Sequence, residues 1–168
     1  DETIEILFSV SRIEKRKGFL TMFNIFKKLI NLDSNYKWII IGNGGFKNEF
    51  EEMVKKENLD EKIIFLGSLS RNQLIKHYTK ANVFWLLSEY KESFGLVYLE
   101  AQACGCPAIG YDFYGVKEAI LDKKTGFLVK EEDKVLDILL NKSYKQLIIE
   151  DYNYFVESFK IEYMIEEF

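Results

Sequence analysis

Apolar residues along the chain gather into short runs, and between the runs they recur at helical spacing. The runs are Ile4 to Val10, Trp38 to Ile41, Ile63 to Leu66, Val83 to Leu87, Pro107 to Tyr111 and Gly126 to Val129. Runs of this length and continuity predict strands buried on both faces. Phe19, Met22, Phe23, Phe26, Leu29 and Ile30 recur at three- and four-residue steps, as do Phe46, Phe50, Met53 and Val54. Both sets predict amphipathic helices. Leu74, Ile75 and Tyr78 mark a third helix. A fourth is predicted to start near Phe94 with Ser93 as its N-cap, after the polar turn from Ser88 to Ser93. A short helical stretch over Gly115 to Ile120 and two closing helices complete the pattern. The last of these carries Ile148, Tyr152, Phe155 and Phe159 on one stripe. The only proline, Pro107, stands at the start of the fifth strand, where no ladder donor is lost.

Strand and helix alternate from end to end, without a repeat or a linker. That order predicts an α/β fold, a Rossmann-like doubly wound parallel sheet of about six strands with helices on both faces. In the common order 3-2-1-4-5-6, strands 1 and 4 are neighbours at the switch point, and ligands bind beyond the strand C-termini there. The chain has 168 residues, the size of a single domain. Apolar residues make up 48% and charged residues 30%, an ordinary globular balance. The net charge of −4 speaks against a general nucleic-acid partner. No apolar run approaches the roughly 20 residues of a membrane-spanning helix. Cys104 and Cys106, with the single His77, are too few ligands for a structural zinc site and read as buried free thiols in a reducing compartment. Asn141-Lys142-Ser143 matches a glycosylation sequon, with no accompanying sign of secretion.

Candidate chemistry gathers at the predicted switch point. The loop after strand 1, Ser11 to Gly18, holds Arg12, Lys15, Arg16 and Lys17, and such a loop suits phosphate. The loop after strand 4 leads into a helix whose first turn contains Gly95. Bare amides at a helix N-terminus also favour an anion. Glu92 stands beside that mouth, and Glu100 lies some two turns into the helix. Carboxylates there accept hydrogen bonds from hydroxyl-rich ligands. An anion flanked by two polyols describes a nucleotide sugar. No G-x-G-x-x-G follows strand 1 and no G-x-x-x-x-G-K-[ST] occurs, which weakens dinucleotide and P-loop readings. Gly42-Asn43-Gly44-Gly45 after strand 2 would let backbone approach a ligand closely. No Asp-x-Asp pair is present to hold a metal on a diphosphate, so Arg12 and Lys17 would supply that charge.

Several motifs in order resemble those of the C-terminal donor-binding domain of GT-B, family 4 retaining glycosyltransferases. Ser11 to Gly18 is similar to the family's G-R-L-x-x-x-K-G segment. Glu92 to Glu100 resembles its E-x7-E element, followed by Ala101 to Pro107, similar to E-A-x-A-x-G-x-P. Phe65-Leu66-Gly67 and Thr125 to Val129 match two further stations. The resemblance covers roughly Phe8 to Val129. It implies that Arg12 and Lys17 contact the donor diphosphate and Glu92 the transferred sugar. Glu100 would hold the ribose hydroxyls and the amides near Gly95 and Leu96 the phosphates, with Phe94 a further donor-binding residue. Gly42, Gly44 and Leu66 would lie near the base. It further implies retaining transfer from a UDP- or GDP-linked sugar, with no cofactor and no metal, in bacterial surface polysaccharide synthesis. The acceptor, a glycan or lipid-linked molecule, would be held by an N-terminal domain outside these 168 residues, so that the fragment alone would transfer little. The expected location is the cytoplasm, with peripheral association at the inner membrane face open for the full-length protein. One departure concerns a Gly-Gly pair after the fifth strand, which here reads Tyr114-Gly115. Tyr114 would narrow the sugar pocket or alter donor choice. Two other readings stand beside this one: a GT-B-like nucleotide-sugar epimerase, and a non-catalytic nucleotide-sugar-binding module.

Overall fold

The computed structural model describes residues 3–91 and 95–148. Within them six strands form one parallel sheet: β1 (Glu5–Val10), β2 (Tyr36–Ile41), β3 (Ile63–Phe65), β4 (Val83–Trp85), β5 (Ala108–Tyr111) and β6 (Gly126–Val129). Their spatial order is β3-β2-β1-β4-β5-β6, the doubly wound order expected from the alternation. β1 pairs with β2 over its full length, from Glu5 opposite Tyr36 to Val10 opposite Ile41. On its other side β1 pairs with β4, Leu7 opposite Val83 and Phe8 opposite Phe84.

Helices α1 (Phe19–Leu32), α2 (Lys47–Lys56) and α6 (Glu132–Leu140) cover one face; α3 (Arg71–Lys80), α4 (Leu96–Ala103) and α5 (Val116–Ala119) cover the other. The division follows the strand pleat. Trp38 and Trp85 turn toward α1 and α2, where Trp38 meets Phe19, Phe26 and Phe50. Phe8 and Phe84 turn to the opposite face and pack on Tyr78 and Tyr98. Fully buried rings such as Trp38, Trp85, Phe8, Phe19 and Phe50 fill both layers. Burial of side chains this large supplies the main driving force, of order 1.5–3 kcal/mol for each.

Several buried polar groups are tied to one another across the sheet. Trp38 Nε1 donates to Ser9 Oγ at 2.9 Å, and Ser9 Oγ donates to the Trp85 carbonyl at 2.6 Å, stitching β2, β1 and β4 together. At the opposite end of the sheet, Glu5 is 1% exposed. It accepts from Tyr144 Oη at 2.9 Å and pairs with Lys145, both in the 3-10 turn Ser143–Gln146 that follows α6. Tyr36 Oη donates to the Leu139 carbonyl at 2.6 Å, closing this cluster.

Some expectations are refined. The β4 run is strand only as far as Trp85, although Leu86 and Leu87 remain buried beyond it. Ile148 is 60% exposed and lies outside any helix. The aromatic stripe Tyr152, Phe155 and Phe159 falls outside the described residues. His77 is half-buried with its ring stacked on Phe8 at 5.7 Å, a packing role. Both cysteines are free; Cys106 is buried and its thiol is pushed up by burial, while Cys104 is half-buried.

Candidate functional site

The segment from Leu86 to Tyr90, at the C-terminal end of β4, gathers the candidate elements. The loop after β1 passes through a short 3-10 turn, Lys15–Lys17, and reaches Gly18 at φ 81°. A Cβ at Gly18 would stand 1.8 Å from the Leu87 carbonyl oxygen, so only glycine allows this approach. The Glu89 amide donates to the Arg16 carbonyl at 3.0 Å. The Tyr90 ring lies under the Arg16 guanidinium at 4.4 Å and the Lys17 ammonium at 5.9 Å, cation–π contacts that join the two loops.

The helix beyond β4 is held to the same segment. Tyr98, in the first turn of α4, donates from its hydroxyl to the Leu86 carbonyl at 2.6 Å. Gln102 Nε2 donates to the carbonyls of Tyr98 and Ala119 at 2.8 and 2.7 Å, fixing α4 against α5. The helix starts at Leu96, two residues later than expected, and its N-cap is Gly95 at φ 62° rather than Ser93. Tyr98 Cδ2 and Ala119 Cβ would lie 3.0 and 3.2 Å from a Cβ on Gly95, so a side chain there would be strained by the left-handed backbone and would press on both neighbours. Tyr98 and Leu99 amides turn back to the Gly95 carbonyl. The amides of Leu96 and Val97 stand ahead of the helix's own ladder.

The four cations of the first loop divide. Lys15 turns away to Glu49 of α2 at 3.1 Å. Arg12 and Arg16 both bind Glu14, at 3.1 and 2.7 Å, and the Arg16 hydrogen bond holds the Glu14 carboxyl below its usual range. The Arg12 side chain is 75% exposed. Ion pairs this open to solvent contribute little, so Glu14 holds the Arg12 guanidinium only weakly.

Glu100 lies four residues into α4, about 6 Å along its axis. It is half-buried and accepts from Tyr78 Oη of α3 at 3.1 Å. Burial raises its pKa; the Tyr78 hydrogen bond and the Arg71 charge oppose that shift. Gly42 and Gly44 face the first loop, not open space. Cβ atoms there would meet the Ser11 and Ile13 carbonyl oxygens at 1.8 and 2.3 Å. The Ile13 amide donates to the Asn43 carbonyl at 3.0 Å, and the Gly42 amide to the Gly67 carbonyl at 2.8 Å. These glycines therefore let the loops after β1 and β2 interlock. Leu66, at the end of β3, is 38% exposed. Glu92 and Phe94 lie outside the described residues. The fold thus brings Arg12, Lys17, Gly95 and Leu96 to one edge, with Gly42, Gly44 and Leu66 beside them along the same row of strand ends.

Tyr90, Glu89 and Tyr98 enter this arrangement without having been singled out, and they are joined by Tyr78, expected only to mark a helix. Their partners lie on other elements, so no local spacing marks them. A cavity of about 320 Å³ at the ends of β5 and β6 was equally unmarked; Glu89, Tyr111, Asp112, Phe113, Val129 and Lys130 line it. Among the described residues, no group of three or more His, Cys, Asp or Glu side chains is placed to hold a metal ion.

Residues 1–153 match the family model described as "Glycosyl transferases group 1". The chain belongs to this family. Among curated relatives, the N-acetyl-alpha-D-glucosaminyl L-malate synthase of Bacillus anthracis is 33% identical over 132 residues, 79% of this chain and 34% of the relative. The N-acetylgalactosamine-N,N'-diacetylbacillosaminyl-diphospho-undecaprenol 4-alpha-N-acetylgalactosaminyltransferase of Campylobacter jejuni is 29% identical over 131 residues, 77% of this chain and 34% of the relative. The chain therefore spans about a third of the length of these relatives. Among solved structures, HepE of Anabaena, determined with UDP and glucose, aligns at a TM-score of 0.83 and 17% identity, over 98% of this chain and 47% of its own. The C-terminal domain of LpcC, a glycosyl transferase group 1 family protein of Francisella tularensis, aligns at 0.77 and 25% identity, over 93% of this chain and 86% of its own. Family membership agrees with the ordered motifs, and the structural neighbours share the doubly wound sheet.

Proposed function

We propose that this chain is the donor-binding domain of a glycosyltransferase that moves a sugar, with retention, from a nucleotide-diphosphate sugar to a glycan or lipid-linked acceptor. The observation carrying this reading is the convergence of the Arg12–Lys17 loop and the α4 N-terminus on the Leu86–Tyr90 segment at the switch point of a family fold. Arg12 and Lys17 then meet the diphosphate. The Gly95 and Leu96 region offers amides to the same anion, and Glu100 accepts from ribose hydroxyls. Gly42, Gly44 and Leu66 border the base, Glu92 contacts the transferred sugar, and Phe94 is a further donor-binding residue.

Chemically, the domain's contribution is to stabilise the departing diphosphate with preorganised cations and amides, so that no metal is needed for that charge. The acceptor would be brought by a further domain of the protein, closing a cleft over the strand ends. Relatives named for lipid-linked products support an acceptor of that class in bacterial surface glycan synthesis. Such a protein would work in the cytoplasm, held peripherally at the inner membrane face; among the described residues no helix is long and apolar enough to cross a membrane.

Calorimetric titration of the chain with UDP, GDP and ADP tests this reading. One of the three should bind, and Arg12→Ala should weaken it by about 1.5–3 kcal/mol, the worth of a charge-assisted hydrogen bond. Absence of binding by any of the three to the folded chain and to the full-length protein would refute it.

A further inference from the structure

The cavity beyond the phosphate loops has its own chemistry. It opens at the C-terminal ends of β5 and β6, one and two strands past β4. At about 320 Å³ it has room for a single pyranose ring. Tyr111 and Phe113 form part of its wall, ring centres 5.8 Å apart and tilted by 41°. Tyr114 extends this aromatic surface, edge-on to Phe113 at 5.2 Å and 51% exposed. Around the rings stand the Glu89 and Asp112 carboxylates and the Lys130 ammonium, the last two 3.7 Å apart.

Flat apolar faces rimmed by carboxylate acceptors and an ammonium donor suit a sugar: its C–H face packs on the rings while its hydroxyls bond the rim. Lys91 Nζ lies 5.1 Å from the Tyr114 ring centre, so two ammonium groups and two carboxylates stand around the aromatic surface. Arg12 and Lys17, the cations suited to phosphate, do not line this cavity. A backbone outlier accompanies the site. Tyr114 is held at φ 48°, a conformation rare for bulky residues, at the position where the family pattern has glycine. Backbone strain is retained there together with an exposed ring.

We propose that this cavity is a saccharide subsite that takes one uncharged sugar ring of the acceptor, independently of the nucleotide. The proposal rests on the glycosyl-transfer reading only for the source of the sugar. Its test is a backbone amide NMR titration of the chain with the methyl α-glycosides of glucose, galactose, mannose and N-acetylglucosamine, each with and without UDP. At least one glycoside should shift the amides of Tyr111, Phe113 and Lys130 whether UDP is present or absent. Phe113→Ala and Asp112→Asn should weaken that glycoside by about tenfold and leave UDP binding unchanged. Tyr114→Gly, which relieves the left-handed backbone and so keeps the fold, should weaken it as well. Shifts at these residues only with an intact nucleotide sugar would assign the cavity to the donor and overturn the proposal. So would UDP binding by a chain that no glycoside perturbs. Glycoside binding without any nucleotide binding would support the subsite while counting against the donor-domain reading.

Discussion

Gly18→Ala tests how the basic loop is seated. The residue adopts φ 81°, and an L side chain in that region costs about 1–2 kcal/mol. The added methyl would stand 1.8 Å from Leu87 O and 2.6 Å from Leu87 C. Both are backbone atoms of the chain leaving β4, so no rotamer change relieves the contact, and overpacking of this kind adds about 1–3 kcal/mol. The expected loss is about 2–5 kcal/mol, a large share of the roughly 5–15 kcal/mol a domain possesses. Two controls separate the contributions. Gly67 has φ 68°, but a methyl there would find nothing within 4 Å, so Gly67→Ala should cost only the backbone part, about 1–2 kcal/mol. Gly45 has neither a left-handed φ nor a neighbour within 4 Å, and Gly45→Ala should be neutral or slightly stabilising. Urea unfolding of the three variants orders them directly, because at about 2 kcal/mol per molar a 3 kcal/mol loss moves the midpoint by about 1.5 M. Where Gly18→Ala remains folded, nucleotide affinity should also fall, since the same contact positions Arg12 and Lys17. A midpoint no lower than that of Gly67→Ala would show that the approach to Leu87 does not constrain the loop.

Further outcomes follow from the same geometry. Arg12→Ala should leave the unfolding free energy within about 0.5 kcal/mol of the parent, because the side chain is exposed and its ion pair with Glu14 lies at the surface; a large loss of stability would contradict that placement. Glu100→Gln should act in opposite directions. Burial raises the folded carboxyl's pKa, so removing the charge should raise thermal stability at neutral pH, while calorimetry should show nucleotide binding weakened by about 1–2 kcal/mol. Burial pushes the Tyr36 phenol up to about 12 from an ordinary 10.0, so its protonated form is favoured by folding. That stability is complete below pH 10 and is lost as pH rises toward 12; urea midpoints measured across this window should fall, and flat midpoints would refute the assignment.

The linear order of residues was enough for the architecture. Continuous apolar runs of strand length can be satisfied only by a sheet covered on both sides, and their alternation with amphipathic helices makes that sheet parallel. From there the right-handed crossover places β1 beside β4, and the loop holding Arg12 and Lys17 beside the helix holding Glu100. What the order could not contain was which groups cross between elements. The Glu14 clamp on Arg12, the diversion of Lys15 to Glu49 and the Tyr90 ring beneath Arg16 depend on side-chain directions that only the packed loops select. Gly42 and Gly44 illustrate the difference: a glycine-rich turn signals a close approach, but not that the approaching atoms are the Ser11 and Ile13 carbonyls. The helix start shifted from Phe94 to Leu96 for a similar reason. Ser93 has the ordinary N-cap chemistry, yet the cap is Gly95 in the left-handed conformation, packed against Tyr98 and Ala119. Periodicity is a property of one segment and survives in the sequence; contacts between Tyr78 and Glu100, or around the cavity from Glu89 to Lys130, exist only once distant strands have been laid side by side.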